Sequence, residues 1–204
     1  MSAPAQTATP ATPAPGTPPA SPSHTASLSH TASPPHTASP PPTASRAAPD
    51  PSVPQLKRIR AKGTWTGKLG TDVTVRDFTF ATAEPVALGG DDSSPTPMDY
   101  VVGAFLGCIS VVLELVATER GVTLHSLELE GTGTLDRRGF AGIADVSPHF
   151  QALTGTAYVE ADTDEATLRG IIAEVERRCP AFSLFKDAGV TPAITWILGG
   201  EVLA

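Results

Sequence analysis

Two cysteines are the residues in this chain whose type could support redox chemistry. Cys108 lies in the apolar segment TPMDYVVGAFLGCISVVLELVATERGV, residues 96–122, and Cys179 lies 71 positions later in ERRCPAF. A free cysteine is often a small buried residue, and a purely apolar site makes its thiol inert. The two thiols are therefore either a working pair or two ordinary core residues. Which of these two interpretations holds depends on the helices and strands that position the thiols.

A long helix is predicted around Cys108, from Pro97 to about Glu119. Thr96 can cap it, Pro97 suits the first helical position, and Asp99 three residues after the cap completes a capping box. Gly121 ends the helix, because glycine readily adopts the left-handed conformation found there. Asp99 therefore has a structural role available before any catalytic one is considered.

The predicted helix is apolar on nearly every face, which indicates that it is buried. Gly103 and Gly107 would permit another backbone to approach closely. Its longest uncharged and mostly apolar run, Val101–Leu113, has 13 residues, too few to span a bilayer. One small sheet offers little cover for such a helix. We therefore expect an obligate homodimer that shields the helices between its subunits.

The surroundings of Cys179 favour a reactive thiol. Pro180 disfavours helical conformation in the residue before it, so a helix should end at Arg178 or Cys179, and a short new helix should begin at Pro180. Cys179 would then be its N-cap, where unpaired N–H groups and nearby Arg177 and Arg178 lower the pKa of a thiol. The alternative is an ordinary cysteine between two helices.

Strands surround these helices, which predicts an α+β domain rather than alternating strands and helices. Alternating patterns predict strands over 56–65, 72–80, 122–136, 151–162 and 191–198, a turn at Gly67–Gly70, and an amphipathic helix over 163–178. The alternation changes phase at Arg76–Asp77, which is typical of a β-bulge. RRGFAGIADVSPHF, between two of the strands, is predicted to be a turn-rich loop.

The N-terminal segment differs in composition from the rest. Residues 1–54 hold 15 of the 21 prolines and repeat HTAS at 24–27, 30–33 and 36–39. Such a segment buries too little apolar surface to offset its ordering entropy, so we predict a disordered tail over 1–54 and a folded domain over 55–204. Its histidines, His24, His30 and His36, could bind a metal weakly, but a low-complexity tail with incidental histidine is the favoured interpretation.

Charge and composition exclude several classes of protein. The tail is neutral, so the whole formal charge of −7 belongs to the domain, and an acidic domain without a basic stripe argues against nucleic acid or a membrane as partner. Two cysteines and scattered histidines offer no zinc-site spacing. The first residues lack the positive charge and apolar core of a secretion signal. We expect a cytoplasmic protein.

The order of several motifs resembles one family. PMDYVVGAFLGC is similar to the P-x-E-L-L-L-A-A-L-G-G-C signature of OsmC/Ohr proteins, the osmotically inducible and organic hydroperoxide resistance family. EPVALGG precedes it, and GTLDRRGFAG, SPHFQALTGTAYVEAD and ERRCP follow in the family's order. The resemblance covers about residues 57–198, and GTLDRRGFAG is similar to a less characterised OsmC-like branch.

The resemblance implies antiparallel sheets wrapped around a long central helix in an intertwined homodimer. It also implies a thiol peroxidase. Cys108 would attack an alkyl or fatty-acid hydroperoxide and become a sulfenate, and Cys179 would resolve it as a disulfide. A dithiol such as a lipoylated protein would restore both thiols, and no metal or bound cofactor is implied.

This chain departs from the family pattern in its charged groups. The peroxidase branches place a glutamate after the proline, paired with an arginine, whereas here that position is Met98 and the carboxylate is Asp99. Helix geometry puts Asp99 roughly opposite Cys108, so it is either a catalytic carboxylate or only a cap. Lys68 or Arg76 would have to replace the arginine, and lysine lacks the guanidinium fork.

Two other functions are compatible with the residues. One is a non-catalytic OsmC-like dimer that binds a small apolar ligand in stress adaptation, which Met98 and the missing arginine favour. The other is a hydrolase that uses a cysteine with His125 or His149. It is disfavoured because His125 fits a surface strand position and His149 lies in a loop.

Overall fold

The structure is a computed structural model, and it describes residues 50–203. Contacts within the chain group Leu56–Ala204 as one compact unit. The HTAS repeats and their histidines lie outside the described residues. The predicted boundary near Gln55 stays a prediction.

Strands and helices alternate irregularly along the domain. In order they are β1 (Lys62–Gly67), β2 (Gly70–Val75), β3 (Phe78–Thr82), a 3-10 turn (Val86–Leu88), α1 (Pro97–Glu119), β4 (Leu124–Leu135), α2 (Arg137–Phe140), β5 (Phe150–Ala161), α3 (Glu165–Arg178), α4 (Pro180–Asp187), β6 (Ala193–Leu198) and β7 (Glu201–Val202).

These strands form two sheets. The first has the order β1-β2-β3 and is antiparallel, and the second has the order β4-β5-β6-β7. The second sheet is antiparallel except that β5 and β6 run parallel, because the connection between them crosses over through α3 and α4. The predicted α+β class with a long central helix is confirmed, and only that one pair departs from antiparallel sheets.

The predicted bulge at Arg76–Asp77 is wrong, because these residues form a turn. Val75 pairs with Phe78, so the chain reverses there and the expected single strand is two strands of one hairpin. Arg76 takes a left-handed φ of 56° to make the reversal. A two-residue turn and a bulge both shift the phase of an alternating pattern, so the phase change alone does not separate them.

Helix α1 begins and ends as predicted. The Thr96 hydroxyl accepts a hydrogen bond from the Asp99 N–H at 3.2 Å, and the Asp99 carboxylate accepts one from the Thr96 N–H at 2.8 Å. At the other end Gly121 has a φ of 70°, and the Val122 N–H bonds back to the Ala117 carbonyl at 2.9 Å. Both ends of the backbone ladder are therefore satisfied.

One side of α1 packs closely on β4 because two strand residues have no side chain. A Cβ at Gly133 would lie 2.4 Å from the Phe150 ring and 3.0 Å from Val102 of α1, and a Cβ at Gly131 would lie 3.0 Å from Leu106 of α1. These distances are shorter than ordinary contacts, so the glycines set the separation of helix and sheet.

The opposite side of α1 is uncovered. Among residues 50–203, a Cβ at Gly103 or Gly107 would meet nothing within 4 Å, so none of these residues makes the close approach expected there. Val111 and Leu115 on the same side are exposed. The helix has a mean hydropathy of 2.2 in its most apolar stretch and is long enough to span a membrane, yet only 33% of that stretch is buried. The predicted burial therefore holds for one side.

The first sheet is likewise poorly covered. Trp65 of β1 and Phe78 of β3 are 77% and 62% exposed. The Phe80 ring contacts the Tyr100 ring of α1 with 4.8 Å between centroids. Large apolar side chains therefore remain exposed on this sheet among residues 50–203.

Replacing Gly133 by alanine should destabilise the domain by about 1–3 kcal/mol, because the new methyl group overlaps the buried Phe150 ring. Gly131→Ala is the matched control on the same strand face, and it should cost less because the contacting Leu106 side chain can rotate. Urea unfolding measures both. Equal stability of the two variants would contradict the proposed role of Gly133.

Candidate active site

The structure brings the two cysteines together. The Cys179 Sγ lies 3.2 Å from the Cys108 Sγ and donates a hydrogen bond to it. Both are free thiols. They are a pair in space, although 71 residues separate them in the sequence.

Helix α3 places Cys179 by packing against α1. Leu168, Ile171 and Val175 of α3 are fully buried, as their helical spacing predicted. The helix stops before Pro180, and the last hydrogen bond of its ladder runs from the Cys179 N–H to the Val175 carbonyl at 2.8 Å. The position of Cys179 is therefore set by the register of α3 on the core.

Cys179 is also the N-cap of α4, as predicted. Its Sγ accepts a hydrogen bond from the backbone N–H of Phe182 at 3.4 Å. A sulfur is a weak acceptor, but here it satisfies a buried N–H that no other group reaches among the described residues. The same sulfur thus serves two contacts, one with α4 and one with Cys108.

The expected low pKa of Cys179 is wrong. Burial, with a further contribution from the neighbouring Cys108, raises the pKa of the Cys179 thiol to about 11, which outweighs the opposite effect of the hydrogen bond from Phe182. The side chain is 0% exposed, so a thiolate there would have no water to solvate it. The thiol of Cys179 stays protonated at neutral pH.

The two arginines before Cys179 do not act on the thiol. Arg177 bonds to Glu174 at 2.7 Å, and Arg178 bonds to Glu119 of α1 at 2.9 Å. The hydrogen bond from Arg178 holds the pKa of the Glu119 carboxyl below its usual value. Their charges are thus engaged by carboxylates, and Arg178 ties the end of α3 to the end of α1.

Cys108 differs from its partner in exposure. It lies in the middle of α1 and is half-buried, whereas Cys179 is fully buried. Cys108 is therefore the more accessible of the two residues. The pair consists of one accessible and one enclosed thiol, which is the arrangement that an attacking and a resolving cysteine require.

Asp99 does not join the two thiols. Its carboxylate is occupied by the capping box, in which it also accepts the Thr96 hydroxyl at 2.7 Å. Nine residues of helix separate it from Cys108, which is about 13 Å along the axis. Its structural role as a cap is confirmed, and a catalytic role for Asp99 stays a prediction.

The basic candidates of the first sheet lie in its turns. Lys68 is in the β1–β2 turn with a φ of 46°. Arg76 is in the β2–β3 turn, with its guanidinium 5.0 Å from the centre of the Phe78 ring. Neither donates a hydrogen bond to Cys108 in the part of the chain that the structure describes, so the replacement of the family arginine stays open.

His125 and His149 bond to groups other than the thiols. His125 lies on the surface and pairs with Asp162 at 2.7 Å, as expected for an exposed strand residue. The Nδ1 of His149 bonds to the carbonyl of Phe150. No group of three or more His, Cys, Asp or Glu side chains within residues 50–203 could hold a metal ion.

An apolar cavity of about 630 Å³ opens at the N-terminal end of α1. Its lining includes Met98, Val102, Leu135, Phe140, Phe150 and Arg137. Arg137 forms no ion pair among the described residues, whereas its neighbour Arg138 binds Asp136 at 2.6 Å. Sequence reasoning missed Arg137. The sequence signal was Asp136 followed by two arginines, because one carboxylate can neutralise only one of them.

Alkylation should distinguish the two thiols. Iodoacetamide at pH 8 should label Cys108 in the folded protein and leave Cys179 unlabelled, because Cys179 is enclosed and its pKa is raised to about 11. Mass spectrometry of tryptic peptides measures this. In urea both cysteines should be labelled, which is the control. Equal labelling of both residues in the folded protein would contradict the enclosed, protonated state of Cys179.

Several solved structures share the fold of this chain. An OsmC-like protein from Mycoplasma pneumoniae superposes with a TM-score of 0.61 at 14% identity, covering 70% of this chain and 97% of that one. An organic hydroperoxide resistance protein from Elizabethkingia anophelis has a TM-score of 0.54 at 16% identity, with 72% and 100% covered. One from Legionella pneumophila has 0.51 at 16%, with 70% and 97% covered.

Sequence comparisons complete the assignment. A search of curated proteins finds no match to this chain. The family model for OsmC-like proteins matches residues 90–194, which include α1 and both cysteines. Together with the shared fold, this match shows that the chain belongs to the OsmC-like family.

Proposed function

We propose that this chain is a cysteine-based peroxidase that reduces organic hydroperoxides. The observation that supports it most is the pair of thiols 3.2 Å apart, one half-buried and one enclosed. Members of the same fold include organic hydroperoxide resistance proteins, at low sequence identity. The steps below assign a role to each sulfur.

In the first step the Cys108 thiolate attacks the distal oxygen of a hydroperoxide ROOH. The O–O bond breaks, the sulfur is oxidised to a sulfenic acid, and the alkoxide RO⁻ takes a proton from water to leave as the alcohol ROH. We assign the attack to Cys108 because it is the more exposed of the two cysteines.

In the second step the Cys179 sulfur attacks the sulfenic sulfur of Cys108. The S–O bond breaks, a disulfide forms, and the leaving hydroxide takes the Cys179 proton and departs as water. The sulfurs have to approach from 3.2 Å to about 2 Å, a shift that side-chain rotation can supply.

A dithiol then returns the protein to its starting state. Its thiolate attacks the disulfide at the accessible Cys108 sulfur, and its second thiol releases the mixed disulfide, so two electrons pass to the protein. A lipoylated protein is the reductant class that we propose. No metal or bound cofactor takes part, and we assign the protein to the cytoplasm, where thiols are kept reduced.

The apolar cavity supports an organic rather than an inorganic peroxide as substrate. It lies beside Val102, six residues before Cys108, which is about 9 Å along α1. A site of this size with an apolar lining suits an alkyl or acyl chain. Hydrogen peroxide has no group to occupy it.

A homodimer is part of the proposal. The uncovered side of α1 and the open aromatic face of the first sheet are both apolar, and a second copy would bury both. Gly103 and Gly107, four residues apart with nothing near them, leave room for a second helix to approach.

A second candidate is a non-catalytic dimer that binds a small apolar ligand in stress adaptation. One observation favours it, which is that the residues lining the cavity do not include Cys108. Met98 at the usual glutamate position and the capping role of Asp99 agree with it.

Turnover with different peroxides tests the enzyme. The reduced protein should consume cumene hydroperoxide with dihydrolipoamide as reductant, and consume hydrogen peroxide at least about tenfold more slowly, because only the organic substrate gains from apolar burial. Cys108→Ser should abolish turnover. Cys179→Ser should allow one round of thiol oxidation without a disulfide.

Failure of this test would have a clear form. If neither peroxide is consumed faster than by a free thiol, or if peroxide produces no Cys108–Cys179 disulfide, the proposal that the chain is a peroxidase is overturned. Binding of apolar ligands to the cavity, followed by fluorescence of a competing dye, would then decide for the second candidate.

Oligomeric state tests the dimer. Light scattering coupled to gel filtration should give twice the 21.0 kDa mass of one chain. Val111→Asp should shift the population to monomer, because it places a charge on the uncovered side of α1. Ile143→Asp, at an exposed apolar residue in a loop, is the control and should leave the mass unchanged. A wild-type protein of single-chain mass would refute the dimer.

A further inference from the structure

We propose that Cys179 acts before the peroxide arrives, as the hydrogen-bond donor that stabilises the thiolate of Cys108. The inference deepens the proposed function and rests on it for its role in catalysis. It gives the enclosed thiol a part in the first step as well as in disulfide formation.

The contacts of Cys179 define where its proton points. The Phe182 N–H donates to the Cys179 Sγ at 3.4 Å and so occupies one acceptor site of this sulfur. The Cys108 Sγ lies 3.2 Å away, within hydrogen-bond reach of the S–H group of Cys179. Helix α4 therefore helps to orient the thiol, since an N–H group of its first turn bonds to the sulfur.

The burial of the two sulfurs decides which one carries the charge. When two adjacent thiols share one negative charge, it resides on the sulfur that water can solvate. Cys108 is half-buried and Cys179 is enclosed. Burial also raises the pKa of the Cys179 thiol, so the proton stays there and remains available for donation.

This hydrogen bond is important because the charged residues of the family pattern are not found at their usual positions in this chain. The position of the usual glutamate is Met98, and neither Lys68 nor Arg76 bonds to Cys108 within residues 50–203. The hydrogen bond with Cys179 is the polar contact that the described chain supplies to the Cys108 sulfur. Ionisation of Cys108 releases its proton to solvent, and no other bond changes.

Two substitutions separate the donor from the second thiol. Cys179→Ser keeps an O–H donor and a good helix cap, and Cys179→Ala removes the donor. Iodoacetamide labelling of Cys108 at pH 7, followed by mass spectrometry, reports its thiolate. The serine variant should react within about threefold of wild type and the alanine variant about tenfold more slowly, since a hydrogen bond to a charged acceptor is lost.

The pH dependence of labelling gives a second readout. The whole profile of the alanine variant should be displaced to higher pH by about one unit relative to the serine variant. Labelling of the alanine variant as fast as the serine variant, or equal slowing of both, would overturn the inference.

A measurement on the unaltered protein covers the case in which Cys179→Ala perturbs α4. The S–H stretching band of Cys179 in Raman spectra should persist and move to lower frequency as Cys108 ionises, because its acceptor becomes charged. Loss of the band at that stage, or a band that does not move, would show that Cys179 does not donate. Far-UV circular dichroism checks the fold of each variant.

Labelling needs no peroxide, so the two proposals fail separately. If the serine and alanine variants differ in labelling but the protein consumes no peroxide, the role of Cys179 as donor stands and the peroxidase proposal fails. If the protein consumes peroxide but the two variants are labelled equally fast, the peroxidase proposal stands and the role of Cys179 as donor fails.

Discussion

The packing of α1 against β4 is the constraint on which the rest of the domain depends. Gly131 and Gly133 remove the side chains that would hold the helix away from the sheet, and Val102 and Leu106 fill the space. Helices α3 and α4 then cover the same side of α1 and bury Cys179 against Cys108. Because the cysteines sit on helices fixed by this core, their separation follows from packing and requires no ordered loop.

Much of this arrangement could be predicted from the sequence because the signals are local. The caps of α1 depend on Thr96, Asp99 and Gly121, and the junction at Cys179 depends on Pro180, so backbone chemistry within a few residues determines them. The turn at Arg76–Asp77 was missed because a turn and a bulge shift an alternating pattern in the same way. Which residues pair across a sheet is not encoded in the alternation itself.

The ionisation of Cys179 illustrates a different limit. Its position at a helix start is readable from the sequence and favours the thiolate, but its enclosure results from residues far along the chain. Desolvation is the larger effect, so a correct local argument gave the wrong direction. The place of Arg137 in the cavity could not be predicted for the same reason, because it depends on how α1 and β4 meet.

The sulfur of Cys179 links the redox state of the pair to the stability of α4. In the reduced protein this sulfur accepts the Phe182 N–H and so completes the first turn of the helix. In the disulfide the same atom is bonded to the Cys108 sulfur and is a poorer acceptor. The strength of the hydrogen bond that caps α4 therefore contributes to the reduction potential of the cysteine pair. A firmly formed α4 favours the dithiol, and a loosened α4 favours the disulfide.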